Sequence, residues 1–232
     1  MKKENLVRKL EEQLRMVARE RQAAKSEPAL LAARTALKRY QSARLAQTHA
    51  DLLANPNTQG AARFFLDELY GANDLGQRDV DLERVIPTLQ KMLSYETLNT
   101  ITEAIVLDAL SERLDTAMAR VLGPDFSEAM YAAAYRSATT RAERTRQLDL
   151  EHELGDSLCD LVNIALLGVT LSVMKAPAKL AGLGGLHAFL HVGFTTFKQM
   201  KKPGDFVTTI VERERQVMER IYAGRSDPFD VI

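Results

Sequence analysis

The sequence predicts an all-α fold, a single bundle-like domain of about eight to nine helices around a central apolar hairpin. Three observations predict it. Ala, Leu, Glu and Arg dominate the chain, and these residues lose little freedom in a helix. Val and Ile are sparse and never alternate with polar residues over a strand length. The 12 glycines and 7 prolines cluster at a few points, which argues against a sandwich or barrel. With 232 residues, 46% of them hydrophobic and 27% charged, the chain can bury one sizeable core.

The first helix is expected from Lys3 to Ala24. Val7, Leu10, Leu14 and Val17 recur at spacings of 3, 4 and 3, a heptad seam. Residues 1–25 are therefore read as an amphipathic helix that projects and self-associates through those four side chains. Residues 26–224 form the helical domain, and 225–232 an irregular tail. Ser26 as cap and Pro28 in the first turn start a second helix, ended by Asn55-Pro56-Asn57. A short third helix from Gln59 to Tyr70 presents Phe65, Leu66 and Leu69 to the core, with Gly71 as a left-handed cap. After a loop, a helix from Asp79 to Leu93 bends at Pro87. Ser94 caps a long helix to Leu122, with Leu107, Leu110, Leu114, Ala117 and Val121 at heptad spacing; Gly123-Pro124 stops it. Asp125 and Glu128 suit a capping box for a helix from Ser127 to Gln147. The chain then turns apolar up to Met174. A connector, Lys175 to Lys179, leads to the apolar stretch Leu180 to Phe197. Asp205 caps a last helix to Ala223, with Val207, Ile210, Val211, Val217 and Ile221 as its core stripe.

Formal charge sums to zero but is unevenly placed. Residues 1–50 carry a net +7, residues 51–130 a net −8 and the remainder +1. A basic arm can seek nucleic acid or anionic lipid. Interleaved carboxylates, as in Lys9-Leu10-Glu11-Glu12, argue instead that the basic first helices pack beside the acidic middle, and against nucleic acid. Cys159 is the only cysteine, so no internal disulfide forms, which fits a reducing compartment. No apolar run follows Met1-Lys2-Lys3-Glu4, so no secretory signal is read and a cytoplasmic location is expected.

Leu161 to Met174 and Leu180 to Phe197 contain no Asp, Glu, Lys or Arg, and Lys175, Lys179, Lys198, Lys201 and Lys202 flank them. They are read first as a buried central hairpin and only secondarily as a membrane contact. His187 and His191 stand one helical turn apart, on one face. With Phe194 they are the candidate contacts for an apolar or haem-like ligand held between the helices of 161–197. They have no HExxH or CxxC context, so no metal is assigned.

The block from Arg63 to Asp79 combines aromatic, acidic and basic residues around Gly71 and Gly76. It is read as a helix end and loop clamped by Arg63, Asp67, Tyr70, Asp74, Arg78 and Asp79, anchored by Phe64, Phe65 and Tyr70, with Tyr70 and Asp74 the first residues to test for recognition. No GxGxxG, Walker A or GxSxG pattern occurs, and no catalytic residue is assigned. This block, Asp160 to Gly168, Leu180 to Gly184 and Phe206 to Glu214 together resemble an uncharacterised family of helical bacterial proteins with an FFLxxLYG…RD block. The resemblance implies a bacterial cytoplasmic origin and transfers no activity. The leading expectation is a non-enzymatic binding protein with a protein partner or a second copy of itself, its cofactors unspecified.

Overall fold

The computed structural model describes residues 2–69 and 76–231. Among them are twelve α-helices, one π-helical turn and no strand. The helices are α1 (Lys3–Ser26), α2 (Pro28–Thr48), α3 (Ala50–Ala54), α4 (Gln59–Phe64), α5 (Gly76–Met92) and α6 (Tyr95–Leu122). They continue as α7 (Glu128–Ala138), α8 (Arg141–Leu161), α9 (Ala165–Val173), α10 (Lys175–Leu180), α11 (Gly184–Gln199) and α12 (Pro203–Tyr222). The π turn, Phe65–Leu69, continues α4.

The helical class is as expected, but the count of eight to nine is too low. His49 leaves helical geometry and divides the second predicted helix into α2 and α3. Thr139 and Thr140 are extended and divide the segment after Ser127 into α7 and α8. The capping box forms at that second break: Thr140 accepts from the Glu143 amide while Glu143 accepts from the Thr140 amide. At the first site Ser127, not Asp125, is the cap. Ser94 caps α6 as expected, and Gly123 leaves that helix at φ 67°. Pro87 lies on the exposed side of α5, which runs through it.

The centre of the molecule is α6, with α1, α2, α7 and α8 packed around it. Leu98, Leu114 and Met118 are fully enclosed there. Thr102 and Thr116 are buried too, because each hydroxyl donates to the carbonyl four residues earlier, at 2.9 Å. Of the residues expected at heptad spacing only Leu114 is enclosed; Leu107, Leu110 and Ala117 are partly buried and Val121 is exposed, so the buried face only partly follows the expected seam.

Helix α1 does not project. Leu10, Leu14 and Val17 are buried and Val7 partly so, packed on Leu82, Ile86, Leu98 and Ile105 of α5 and α6. Its heptad stripe is satisfied inside the chain, so it offers no free seam to a second copy. The 161–197 hairpin, in turn, is not central. With α6 filling the middle, the stretch reaches a core through Val162 and through Phe197 on the inner side of α11, beside Phe206 and Val207 of α12. That core depends on a close crossing: a Cβ on Gly155 of α8 would overlap the Val207 side chain of α12.

Candidate binding surface

Two charge clusters hold the body that carries the surface. The basic first helices do lie against the acidic middle. Arg21 of α1 pairs with Asp79 and, at 3.1 Å, with Asp108; Arg34 and Lys38 of α2 converge on Glu112 of α6. Glu112 is only 3% exposed. Burial pulls the Arg34 and Lys38 pKa values down, against the pull of Asp115. Burial raises that of Asp79, against Arg21 and Arg78. In the second cluster Arg44 places Nη1 at 2.6 and 2.5 Å from the two Glu214 oxygens. The His49 Nε2 lies 3.0 Å from Glu214 Oε1. Burial alone would raise the Glu214 pKa, but the Arg44 charge and hydrogen bonds from His49 and Arg44 hold it at about 2.

Of the predicted loop clamp, the described residues include Arg63, Asp67, Arg78 and Asp79. Arg78 turns to Asp79 at 3.1 Å and to Asp108 of α6 at 2.9 Å, joining the buried network. Asp79 is buried in that network, whereas Arg63 and Asp67 are exposed. Tyr70 and Asp74 lie outside the described residues. Asp108, Glu112, Arg34 and Lys38 were not singled out from sequence. Their signal was the spacing of Asp108, Glu112 and Asp115, one face of α6 carrying charge where apolar residues were sought.

The surface is built outward from α11. Leu186 and Phe197 are buried on its inner side. Phe189 meets the Phe64 ring at 5.3 Å and takes the Arg78 guanidinium over its face, also at 5.3 Å. Gly193 admits Phe64, whose ring a Cβ there would meet at 2.9 Å. Arg84 of α5 donates to the Ala181 carbonyl at 2.9 Å, tying down the turn before α11.

Helix α9 then packs on the outer side of α11, with Gly168 against Phe194. His187 Nε2–H donates to the Leu171 carbonyl at 2.7 Å, and its ring stacks on His191 at 5.9 Å. Of the candidate ligand contacts, His191 and Phe194 line an open groove of about 410 Å³ with Val169, Val173 and Lys198, whereas His187 serves the α9–α11 joint. No group of three or more His, Cys, Asp or Glu among the described residues is placed to hold a metal. Cys159 is half-buried, and burial beside Asp156 and Asp160 raises its thiol pKa, the opposite of an activated nucleophile.

What this layering leaves outside is apolar. Leu166 is 75% exposed, Val169 59%, Val173 68% and Leu180 90%. The first three share one face of α9 by their spacing. Leu190 and Val192 of α11 are exposed as well. Charge across the segment has one sign. From Leu161 to Gly204 there is no Asp or Glu, and there are five lysines: Lys175, Lys179, Lys198, Lys201 and Lys202. All five are exposed. Among the described residues no single helix is long and apolar enough to cross a membrane.

Comparison with known proteins gives one family. The family described as "Domain of unknown function (DUF8198)" matches residues 20–228. No curated protein and no solved structure matches the chain. The chain belongs to that family of unknown function.

Proposed function

We propose that this member of the DUF8198 family is a binding protein without catalytic chemistry, whose recognition surface is the outer face of α9–α11. The observation that carries the reading is the exposure of Leu166, Val169, Val173 and Leu180 together on one outlying layer. Scattered single apolar residues on a surface need no explanation, but a contiguous patch marks an interaction site. The body behind it is held by buried ion pairs and by the aromatic clamp on Phe189, so the face is presented by a stiff frame.

A variant with Leu166, Val169, Val173 and Leu180 all changed to Ser tests the reading. Each change is expected to cost within about 0.5 kcal/mol, as surface substitutions do. Thermal melts should therefore shift by a few degrees at most, while fluorescence of a bound hydrophobic dye falls and partner binding is lost. A penalty of about 2–4 kcal/mol per site would mean that these side chains are packed as a core, and the surface would not exist.

The groove beside His191 and Phe194 favours a second reading, a carrier of a small apolar molecule. Its volume is in the range of ligand pockets, but it is open along α9, and such pockets enclose most of their ligand. It ranks second for that reason. Native mass spectrometry of the purified chain would show a retained small mass if it applied.

A further inference from the structure

We propose that the partner of this face is an anionic membrane surface, on which α9 and α10 lie in the headgroup region. The inference rests on the reading of α9–α11 as a recognition surface. It adds the chemistry of the partner.

Charge is the first argument. The 161–204 segment carries five lysines and no carboxylate, in a chain whose formal net charge is zero. Lys175 and Lys179 lie four residues apart, on one face of α10. Lys198 lines the groove with Val169 and Val173, so a cation borders the apolar stripe itself. Arg84, at the other end, donates to the Ala181 carbonyl but shares its charge with Asp81 at 3.8 Å. Lys202 shares its charge with Asp205 at 3.5 Å, in an exposed pair. The formal charge of the segment is positive, the sign that anionic lipid headgroups attract.

The kind of apolar residue is the second argument. Protein interfaces concentrate aromatic anchors and are depleted in Lys. Among the described residues the exposed large hydrophobic side chains are all aliphatic or Met, with no Phe or Tyr, and on this segment they are interspersed with lysines. Aliphatic side chains next to lysines suit a bilayer boundary, where the chains enter acyl tails and the ammonium groups stay at the phosphates. A second copy of the chain fits poorly. A two-fold contact through this face would set lysine against lysine with no carboxylate from the segment between them.

Length decides how the segment meets the bilayer. Helix α9 has nine residues, a rise of about 14 Å, against a hydrocarbon core of about 30 Å. It can lie in the interface and cannot span it.

Co-sedimentation of the full chain with vesicles tests the proposal, using equimolar phosphatidylglycerol and phosphatidylcholine against phosphatidylcholine alone. Binding is expected to the anionic vesicles, weakening as salt is raised. The variant K175E/K179E/K198E should lower the partition coefficient about 100-fold or more, since each lysine near such a surface contributes substantially. The four-serine variant should abolish binding, and both variants should melt within a few degrees of the wild type. Absence of binding by the wild-type chain, or binding that survives lysine reversal, overturns the membrane assignment. Light scattering on the same proteins separates the two readings. A dimer that the serine variant dissolves would keep α9–α11 as a binding surface and give it to a second copy. Dye fluorescence and mass unchanged by the serine variant, with no vesicle binding, would remove both readings.

Discussion

Replacing Glu112 with alanine should destabilise the protein by about 3–5 kcal/mol, the range for removing one partner of a buried ion pair. Glu112 accepts from Arg34, from Lys38 at 2.8 Å and from Arg21 at 3.3 Å, and it is itself enclosed. Its loss leaves cations facing one another where water cannot screen them. Burial already pulls the Arg34 and Lys38 pKa values down, so these charges sit in an unfavourable medium even when paired. Glu112→Gln keeps the shape and loses the charge, and should cost nearly as much. The double variant E112L/R34L, which removes both sides of the closest pair, should recover part of the loss. Urea unfolding measures all three. A cost near the 0–1 kcal/mol of an exposed pair would show the cluster to be solvated in solution.

Arg44→Met should cost about as much at neutral pH, and its penalty should shrink in acid. In the wild-type chain the Glu214 pKa is lowered from 4.5 to about 2. A carboxyl lowered in this way contributes stability above its unfolded value of 4.5, and loses it as pH falls toward 2. The contribution is roughly 3 kcal/mol at neutral pH. Without Arg44, burial acts on Glu214 with only His49 to oppose it, so its pKa should rise above the ordinary value. That group then costs stability as pH rises and is relieved as it protonates. The gap between wild type and variant, measured by urea unfolding at neutral pH and at about pH 3, should therefore narrow in acid. A gap that stays constant would mean that Glu214 is not the group Arg44 holds.

Much of the helical layout was legible because the cues are local. Ser94, Gly123 and Pro28 mark ends through their own backbone preferences, and each marks one here. The breaks at His49 and Thr139 carry no Gly or Pro, so periodicity ran through them. The charge imbalance between the first 50 residues and the next 80 forecast the pairing of α1 and α2 with α5 and α6. Partner choice was harder to read. The stripe of Leu10, Leu14 and Val17 was evident, but a seam looks the same whether α6 or a second chain fills it. The apolar run around 161–197 was misplaced for a related reason: apolar content does not distinguish a centre from an outer layer. Lys175 and Lys179 held the clue, since a buried helix has nowhere to put two lysines one turn apart. The Arg63–Asp79 block was legible only as chemistry, and Arg78 takes Asp108 of α6 as a second partner beside Asp79, beyond reach of local spacing.

The layering of α9 and α10 outside α11 also sets how tightly each part is held. Among the described side chains of α9 none is buried, and in α10 only Ala178 is. Opening these two helices exposes little new apolar area, whereas opening α6 dissolves the cores that Leu98, Leu114 and Met118 fill. Amide hydrogens of α9 and α10 should exchange through local fluctuations, and those of α6 only on global unfolding. The outer helices can reorient against whatever they meet while the rest of the chain keeps its shape, a compliant tip on a rigid mount.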